Sequence, residues 1–203
     1  MKLKLIVLIS CIVSLALMVG YDSLFSTLSQ EIREGEVQAL LNKKEAIGTI
    51  EVLKGEIHLP ENRMLVDTNG NQFLLFDKKL QELQIINFWA SWCAPCLKEL
   101  PALFKLAKEY KNEVRVLAIS IDENVMSFNK LVSKLEDKYS DTISEIVIAR
   151  DVDKSIAGIF NTTKVPESFI VQSSGKVTNK AVGYLDWQEV PILNYISENK
   201  RIQ

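Results

Sequence analysis

The decisive stretch of this sequence is Asn87-Phe88-Trp89-Ala90-Ser91-Trp92-Cys93-Ala94-Pro95-Cys96, an apolar run that ends in a Cys-x-x-Cys pair and then becomes helical. A thiol at a helix N-terminus meets unpaired N–H groups and the positive end of the helix dipole. Both lower its pKa from about 8.5 toward roughly 3.5–7.5, so Cys93 is the predicted nucleophile. Cys96 lies one turn further on and can release a partner bound to Cys93. The pair therefore predicts thiol-disulfide exchange.

Two other uses of a Cys-x-x-Cys pair have to be weighed. A structural zinc site needs a second pair or two histidines, typically about 12 to 20 residues away. The third cysteine, Cys11, lies in an apolar N-terminal segment, and the only histidine, His58, is isolated. A purely structural disulfide is the second alternative, but closing so short a loop gains little chain entropy. We therefore predict no metal site and no cofactor beyond a redox-active Cys93–Cys96 disulfide.

The composition limits the class of protein. The chain has 203 residues, of which 47% are hydrophobic and 25% charged, which fits one globular domain with a modest extension. The net charge is −2, and without Lys2 and Lys4 the chain has 22 basic and 26 acidic residues, or −4. No basic surface is indicated, so no nucleic-acid partner is predicted.

The N-terminus has the pattern of a membrane-targeting segment. Lys2 and Lys4 precede an uncharged stretch, residues 5–21, whose length reaches the lower bound for a spanning helix. Because no convincing small-x-small cleavage site follows, we predict that residues 1–21 are a retained single-pass anchor in the cytoplasmic membrane rather than a cleaved signal. A lipoprotein box ending at Cys11 is the weaker alternative. The positive residues before the anchor place the remaining chain on the periplasmic or extracytoplasmic side, which is oxidising.

Three segments follow from the patterning: the anchor, a polar stem over residues 22–56, and a folded domain over residues 57–203. A helix is predicted near residues 31–44 of the stem. At the start of the domain, two short apolar runs within residues 63–76 flank a turn that contains Asn69-Gly70, which predicts a β-hairpin.

The domain alternates strand and helix patterns before it ends in a hairpin. Compact apolar runs predict strands, amphipathic runs predict helices, and the Ser173-Ser174-Gly175 turn predicts an antiparallel pair. Asp151 is a candidate N-cap of the third helix. The predicted strands are 85–90, 114–121, 146–149, 168–172 and 176–184, and the predicted helices are 96–110, 126–139, 151–160 and 187–199. The expected fold class is α/β, with a mixed central sheet flanked by helices.

A second motif supports a family resemblance. Some seventy residues after the dithiol, the chain has Val165-Pro166-Glu167-Ser168-Phe169-Ile170-Val171 and then Gly175-Lys176-Val177. Together with residues 89–96, this resembles the thioredoxin superfamily and, more narrowly, the membrane-anchored TlpA, ResA and CcmG group, over roughly residues 57–199. The resemblance implies a thioredoxin fold, with a cis Val165-Pro166 bond packed against the dithiol at the first long helix.

The same resemblance implies roles for individual side chains. Asn87 stands where classical thioredoxins have a buried aspartate. Glu167 matches a glutamate of the CcmG-like members and is expected to relay a proton to or from Cys96, although a merely solvated strand-edge glutamate is the alternative. Contact with a partner chain is expected from Trp92, Ala94, Pro95, Val165 and Pro166.

The predicted activity is that of a thiol-disulfide oxidoreductase, and the resemblance implies a reductase. Its partners are protein disulfides, such as the haem-attachment Cys-x-x-Cys-His cysteines of apocytochromes c, and a transmembrane thiol carrier that donates electrons. Reduction of other exported proteins is an alternative. A peroxiredoxin-type peroxidase would require a Pro-x-x-x-Thr-x-x-Cys site, which is absent. A thioredoxin-fold metal-binding module would require a histidine downstream of the dithiol, whereas His58 lies upstream.

Overall fold

A computed structural model of the protein describes residues 48–53, 55–60, 62–77, 83–189 and 194. The strands are β1 (Thr49–Val52), β2 (Met64–Val66), β3 (Gln72–Leu74), β4 (Leu83–Trp89), β5 (Val114–Ser120), β6 (Val147–Arg150), β7 (Glu167–Val171) and β8 (Val177–Val182). Six of them form one mixed sheet in the order β1-β8-β7-β4-β5-β6, and β2 pairs with β3. This is the predicted α/β architecture, a thioredoxin fold.

The dithiol belongs to a parallel crossover at the centre of this sheet. Strand β4 is buried along its whole length because β5 pairs with it on one side, in parallel, and β7 on the other, antiparallel. The helix that connects β4 to β5 is α1 (Ala94–Glu109). This confirms the predicted strand–helix–strand unit, which buries a continuous apolar strand between two neighbours.

Helices cover both faces of the sheet. Helix α1 and helix α2 (Val125–Lys138) pack on one face, where the core includes Ile85, Leu103 and Phe128. The short helix α3 (Ser155–Ile159) packs on the other face with the β2–β3 hairpin. A 3₁₀ turn, Ile143–Glu145, precedes β6. The two faces therefore have separate hydrophobic cores, and only the first of them contains the cysteines.

Both predicted hairpins are confirmed. Strands β2 and β3 pair antiparallel around a turn in which Gly70 adopts a φ of 83°, a left-handed conformation that glycine adopts without strain. Strands β7 and β8 pair antiparallel across the predicted Ser173-Ser174-Gly175 turn. The second hairpin also carries the cis Val165-Pro166 bond at its start, as the resemblance implied.

Two predicted boundaries were wrong. Thr49–Val52, which the sequence placed in the stem, is strand β1 and pairs antiparallel with β8, so the sheet begins before residue 57. The third helix begins at Ser155 rather than at residue 151, because Lys154 adopts a left-handed φ of 56° that a helix cannot include. Asp151 still provides hydrogen-bond acceptors for the first turn of the helix, since its carboxylate accepts the N–H groups of Ile156 and Ala157.

Several predictions fall outside the described residues. These are the anchor over residues 1–21, the helix near residues 31–44 and most of the helix over 187–199, of which residues 187–189 form a turn. Among the residues that the structure describes, no helix has the length and apolar character needed to cross a membrane.

The pairing of β1 with β8 predicts a strong effect at Gly48. A Cβ atom there would overlap the Val182 carbonyl oxygen and would lie 2.7 Å from that of Gly183. Because both obstacles are backbone atoms, Gly48→Ala should lower the free energy of unfolding by about 1–3 kcal/mol, the usual cost of overpacking. Urea denaturation measures this change. Gly158→Ala is the control, since its Cβ meets no atom within 4 Å, and an unchanged stability of Gly48→Ala would contradict the placement of β1.

Candidate active site

The two cysteines lie at the corner where β4 becomes α1. Cys93 is the N-cap residue of α1, and its Sγ accepts a hydrogen bond from the Cys96 N–H at 3.3 Å. The two sulfurs form a disulfide with an S–S distance of 2.01 Å and a Cα–Cα distance of 5.3 Å. The predicted position of Cys93 at a helix N-terminus is confirmed, with the helix dipole directed at its sulfur.

The two cysteines differ in their access to solvent. Cys93 is 5% exposed and Cys96 only 1%, while Trp92 beside them is 69% exposed. Ala94 and Pro95, between the cysteines, are also exposed. Both cysteines thus belong to the buried core, and the exposed surface beside them is that of Trp92, Ala94 and Pro95.

The start of β7 lies beside the end of β4, the strand that leads to Cys93. Pro166 is buried, and its carbonyl oxygen accepts the Gly183 N–H at 3.0 Å, which ties the cis-proline loop to the end of β8. Val165 is half-buried and packs against the core cluster that contains Cys93 and Cys96. The loop thus lies at the end of the sheet where β4 leads into the dithiol turn, and partner contact through Val165 and Pro166 stays a prediction.

A buried carboxyl that the sequence analysis missed lies one turn after Cys96. Glu99 on α1 is 1% exposed, and the i,i+3 spacing places it on the same helix face as Cys96. Its Oε1 accepts a hydrogen bond from the Trp187 indole N–H, and the Asn87 Nδ2 lies 3.5 Å away. Its Oε2 has no hydrogen-bond partner among the described residues.

Burial changes the acidity of this group. Removal from water raises the pKa of Glu99 from 4.5 to about 8, even though the hydrogen bonds from Trp187 and from the backbone of Leu185 lower it. Glu99 is therefore a carboxyl that exchanges its proton near neutral pH. That pKa lies close to the pKa of an ordinary thiol.

Asn87 helps to complete this buried polar group. Its Nδ2 donates to the Ser168 Oγ at 2.9 Å, across the β4–β7 pairing in which the two residues are directly opposite. Asn87 thus occupies the expected position but cannot exchange a proton. Glu99, which reaches the same site from the helix, is the residue there that can.

The position of Glu167 corrects its predicted role. Glu167 pairs directly with Phe88, so alternation along β7 turns its side chain toward the sheet face that carries α3, away from Glu99. There its Oε1 accepts a hydrogen bond from the Lys180 ammonium at 2.9 Å, and the side chain is 1% exposed. Glu167 therefore lies on the opposite sheet face from Cys96, and the buried carboxyl on the Cys96 face is that of Glu99. The alternative of a solvated glutamate is also wrong, because Glu167 is buried.

The sequence contained a signal for the buried carboxyl of Glu99. Leu97, Leu100, Leu103, Phe104 and Ala107 predicted the buried face of α1, and a glutamate at position 99 interrupts that face. An acidic residue among the buried positions of an amphipathic helix, one turn after a reactive cysteine, indicates a functional carboxyl. Nothing in the sequence pointed to its partner Trp187, which lies 88 residues further along the chain.

The part of the chain that the structure describes contains no group of three His, Cys, Asp or Glu side chains arranged to hold a metal ion. His58 has an 86% exposed side chain, and its Nε2 lies 4.0 Å from an oxygen of Glu56.

The fold and the site together define a thioredoxin-like domain, because a thioredoxin sheet presents a Cys-x-x-Cys disulfide at the N-terminus of its first long helix. Within that class, the chain belongs to the AhpC/TSA family, whose sequence signature matches residues 57–180.

The chain is also similar to individual proteins in sequence and in fold. The chain is 30% identical over 123 residues to a thiol-disulfide oxidoreductase ResA of Bacillus cereus, covering 60% of this chain and 66% of that protein, just under two thirds of its length. It is 30% identical over 142 residues to the thioredoxin-like protein YneN of Bacillus subtilis (strain 168). This match covers 68% of this chain and 80% of that protein. A solved structure of the exposed lipoprotein thioredoxin Etrx1 from Streptococcus pneumoniae shares the fold, with a TM-score of 0.57 and 20% sequence identity. The superposition covers 67% of this chain and 98% of that chain.

The raised pKa of Glu99 predicts a pH-dependent stability. The folded domain holds this proton more tightly than the unfolded chain, so the stabilisation is complete below about pH 4.5 and is lost as pH rises toward 8. For the oxidised protein, the free energy of unfolding should fall relative to that of Glu99→Gln by about 1.4 kcal/mol per pH unit in this window. Urea denaturation across the window measures it, and the disulfide prevents either active-site cysteine from titrating.

Glu136→Gln is the control, because it removes an exposed carboxyl of α2 and leaves the buried group intact. A difference between wild type and Glu99→Gln that stays constant from pH 4.5 to 8 would contradict the assignment of a protonated, buried Glu99.

Proposed function

We propose that the protein is a membrane-anchored, extracytoplasmic reductase of protein disulfides that acts through Cys93 and Cys96. The observation that carries this proposal is the placement of Cys93 as the N-cap of α1, beside the exposed Trp92, with Cys96 buried one turn behind it. This arrangement gives one thiol access to a partner and keeps the other for resolution.

The reaction requires two exchanges. The Cys93 thiolate attacks one sulfur of the partner disulfide, which forms a mixed disulfide and releases the other partner sulfur as a thiolate that takes up a proton. The Cys96 thiolate then attacks the Cys93 sulfur, which releases the second partner thiolate and forms the Cys93–Cys96 disulfide. Two electrons pass to the partner, whose disulfide becomes two thiols, and the dithiol of the protein is oxidised.

Glu99 supports the second exchange in this proposal. Cys96 must lose its proton before it attacks, and the core around it offers little access to water. Because the pKa of Glu99 is about 8, its carboxylate accepts a thiol proton with little free-energy cost, whereas an ordinary carboxylate would be several pKa units too weak a base. Its Oε2, which has no hydrogen-bond partner in the described part of the chain, is the atom available to hold that proton.

The cellular setting rests on the N-terminal sequence. Lys2 and Lys4 followed by the uncharged residues 5–21 indicate an anchor with the domain outside the cytoplasm. In that oxidising compartment the dithiol has to be regenerated, so the proposal includes a transmembrane thiol carrier that reduces the Cys93–Cys96 disulfide by the same two exchanges in reverse.

The proposed substrates are the haem-attachment Cys-x-x-Cys-His cysteines of apocytochromes c. The support is the resemblance to the TlpA, ResA and CcmG group and the identity with a relative named ResA. The exposed loop of Trp92, Ala94 and Pro95 suits an extended polypeptide, since it offers a flat apolar contact next to Cys93. Reduction of other exported proteins uses the same chemistry and differs only in the partner.

The proposal predicts which adducts a blocked enzyme will retain. In full-length Cys96→Ser, resolution is impossible, so mixed disulfides should accumulate on Cys93. After expression in the native host and acid quenching of thiols, mass spectrometry should find apocytochromes c attached through their haem-attachment cysteines, together with the transmembrane carrier. The matched control is Cys93→Ser/Cys96→Ser, which keeps Cys11 and should lose these adducts.

Other outcomes discriminate between the alternatives. Adducts with other exported proteins alone would keep the reductase chemistry and overturn the apocytochrome assignment. Absence of any Cys93 adduct would overturn the reductase proposal. Rapid consumption of hydrogen peroxide by the purified, reduced protein would instead favour a peroxidase, although the Pro-x-x-x-Thr-x-x-Cys pattern is missing from the chain.

A further inference from the structure

A buried aspartate outside the cysteine helix holds the loop that leads to Cys93. Asp122, just after β5, is 2% exposed. Its Oδ2 accepts the Ser91 N–H at 2.8 Å and the Ser120 hydroxyl at 2.7 Å, and its Oδ1 accepts the Ser91 hydroxyl at 2.8 Å. The N–H and the hydroxyl of Ser91 are therefore both bound by one carboxylate, which follows the neighbouring strand.

The loop held in this way is the turn that sets the position of the nucleophile. The Cys93 N–H donates to the Ala90 carbonyl at 3.1 Å, so residues 90–93 form a tight turn with Ser91 and Trp92 at its centre. Without Asp122, the Ser91 N–H would lose its acceptor at the half-buried centre of this turn.

Asp122 is itself firmly anchored. Its N–H donates to the Ser120 Oγ at 3.0 Å, and the Arg150 guanidinium at the end of β6 donates to the carbonyl oxygens of Asp122 and Glu123. The Ile121 N–H donates to the Trp89 carbonyl, which binds the same segment to the end of β4. The carboxylate is thus part of a rigid connection from β6 and β5 to the Cys93 turn.

We propose that Asp122 is a positioning residue for the exchange reaction, acting through Ser91 to hold the Cys93 thiolate and the Trp92 side chain in the geometry that attack on a disulfide requires. This inference rests on the proposed function. Attack on a disulfide depends on close alignment, and a misplacement of about 1 Å can cost two orders of magnitude in rate. Asp122 does not touch the reacting atoms, so its effect has to be visible through Ser91.

The chain offers a matched control for the loss of a buried aspartate. Asp151 is 3% exposed, follows β6, and accepts the N–H groups of Ile156 and Ala157 at 3.2 and 2.8 Å. It therefore caps α3, which lies on the sheet face without the cysteines. Asp151→Ala should reduce stability without altering the Cys93 turn.

The test is the rate at which the reduced, full-length protein attacks a chromogenic aromatic disulfide (Ellman's reagent), measured by stopped flow in a Cys11→Ser background. The rate constant is read at the alkaline plateau of the pH profile, where Cys93 is a thiolate in every variant. Loss of the Asp122 charge then cannot alter the thiolate fraction. Urea denaturation of each variant defines conditions in which all of them are folded.

We expect Asp122→Ala to lower the plateau rate about 10-fold or more and Ser91→Ala to lower it several-fold. Asp122→Asn should recover part of the loss, because its amide oxygen can still accept the Ser91 N–H. The double variant Ser91→Ala/Asp122→Ala should be no slower than Asp122→Ala, since the two residues act through one contact. Asp151→Ala should keep the wild-type rate.

Equal plateau rates for wild type, Ser91→Ala and folded Asp122 variants would overturn the inference and leave the proposed function intact. If Asp122→Ala does not fold, Ser91→Ala decides the matter, because it removes the hydroxyl contact from a half-buried site. A wild-type protein that fails to attack the disulfide would overturn the proposed function and, with it, this inference.

Discussion

The structure depends on one corner, where the fully buried strand β4 ends and α1 begins. Because β5 and β7 pair with β4 on both sides, the end of this strand cannot shift, and the N-cap of α1 occupies a fixed point. Cys93 is that N-cap, and its sulfur accepts the Cys96 N–H. The helix register then dictates that Cys96 and, one turn later, Glu99 face the core. A single strand-to-helix transition thus positions the three residues that the proposed mechanism uses as nucleophile, resolving thiol and proton acceptor.

The site also shows how differently two buried carboxyls are used. Glu167 is paired with the Lys180 ammonium, which also lies over the Phe169 ring, so its negative charge has a counter-ion. Among the residues that the structure describes, Glu99 has only neutral donors, chiefly the Trp187 indole, and burial raises its pKa to about 8. A buried carboxyl without a cation destabilises the fold above that pH, and such groups are typical of functional sites. The domain keeps this unfavourable group one helical turn from Cys96, the thiol that loses a proton in the proposed mechanism.

The sequence predicted well what local patterns and motifs encode. The apolar run of β4, the amphipathic α1, both hairpins and the cis Val165-Pro166 bond all follow from residues close together in the chain. It predicted poorly what depends on distant pairing. Strand β1 has mostly exposed side chains and is defined only by its pairing with β8, far along the chain. The sequence motif located Glu167 at the start of a strand but did not specify which sheet face its side chain occupies. Asp122 and Ser91, which are separated by 31 residues, meet only because β4 and β5 are neighbours.

The central claim is that the N-cap position makes Cys93 the attacking thiol and leaves Cys96 protected. The most direct measurement is the pH dependence of iodoacetamide alkylation of the reduced protein, with each cysteine followed separately by mass spectrometry. The account predicts that Cys93 is alkylated first and that its rate rises with an apparent pKa below about 8.5, while Cys96 reacts far more slowly. Faster alkylation of Cys96, or a Cys93 pKa at or above that of an ordinary thiol, would contradict it.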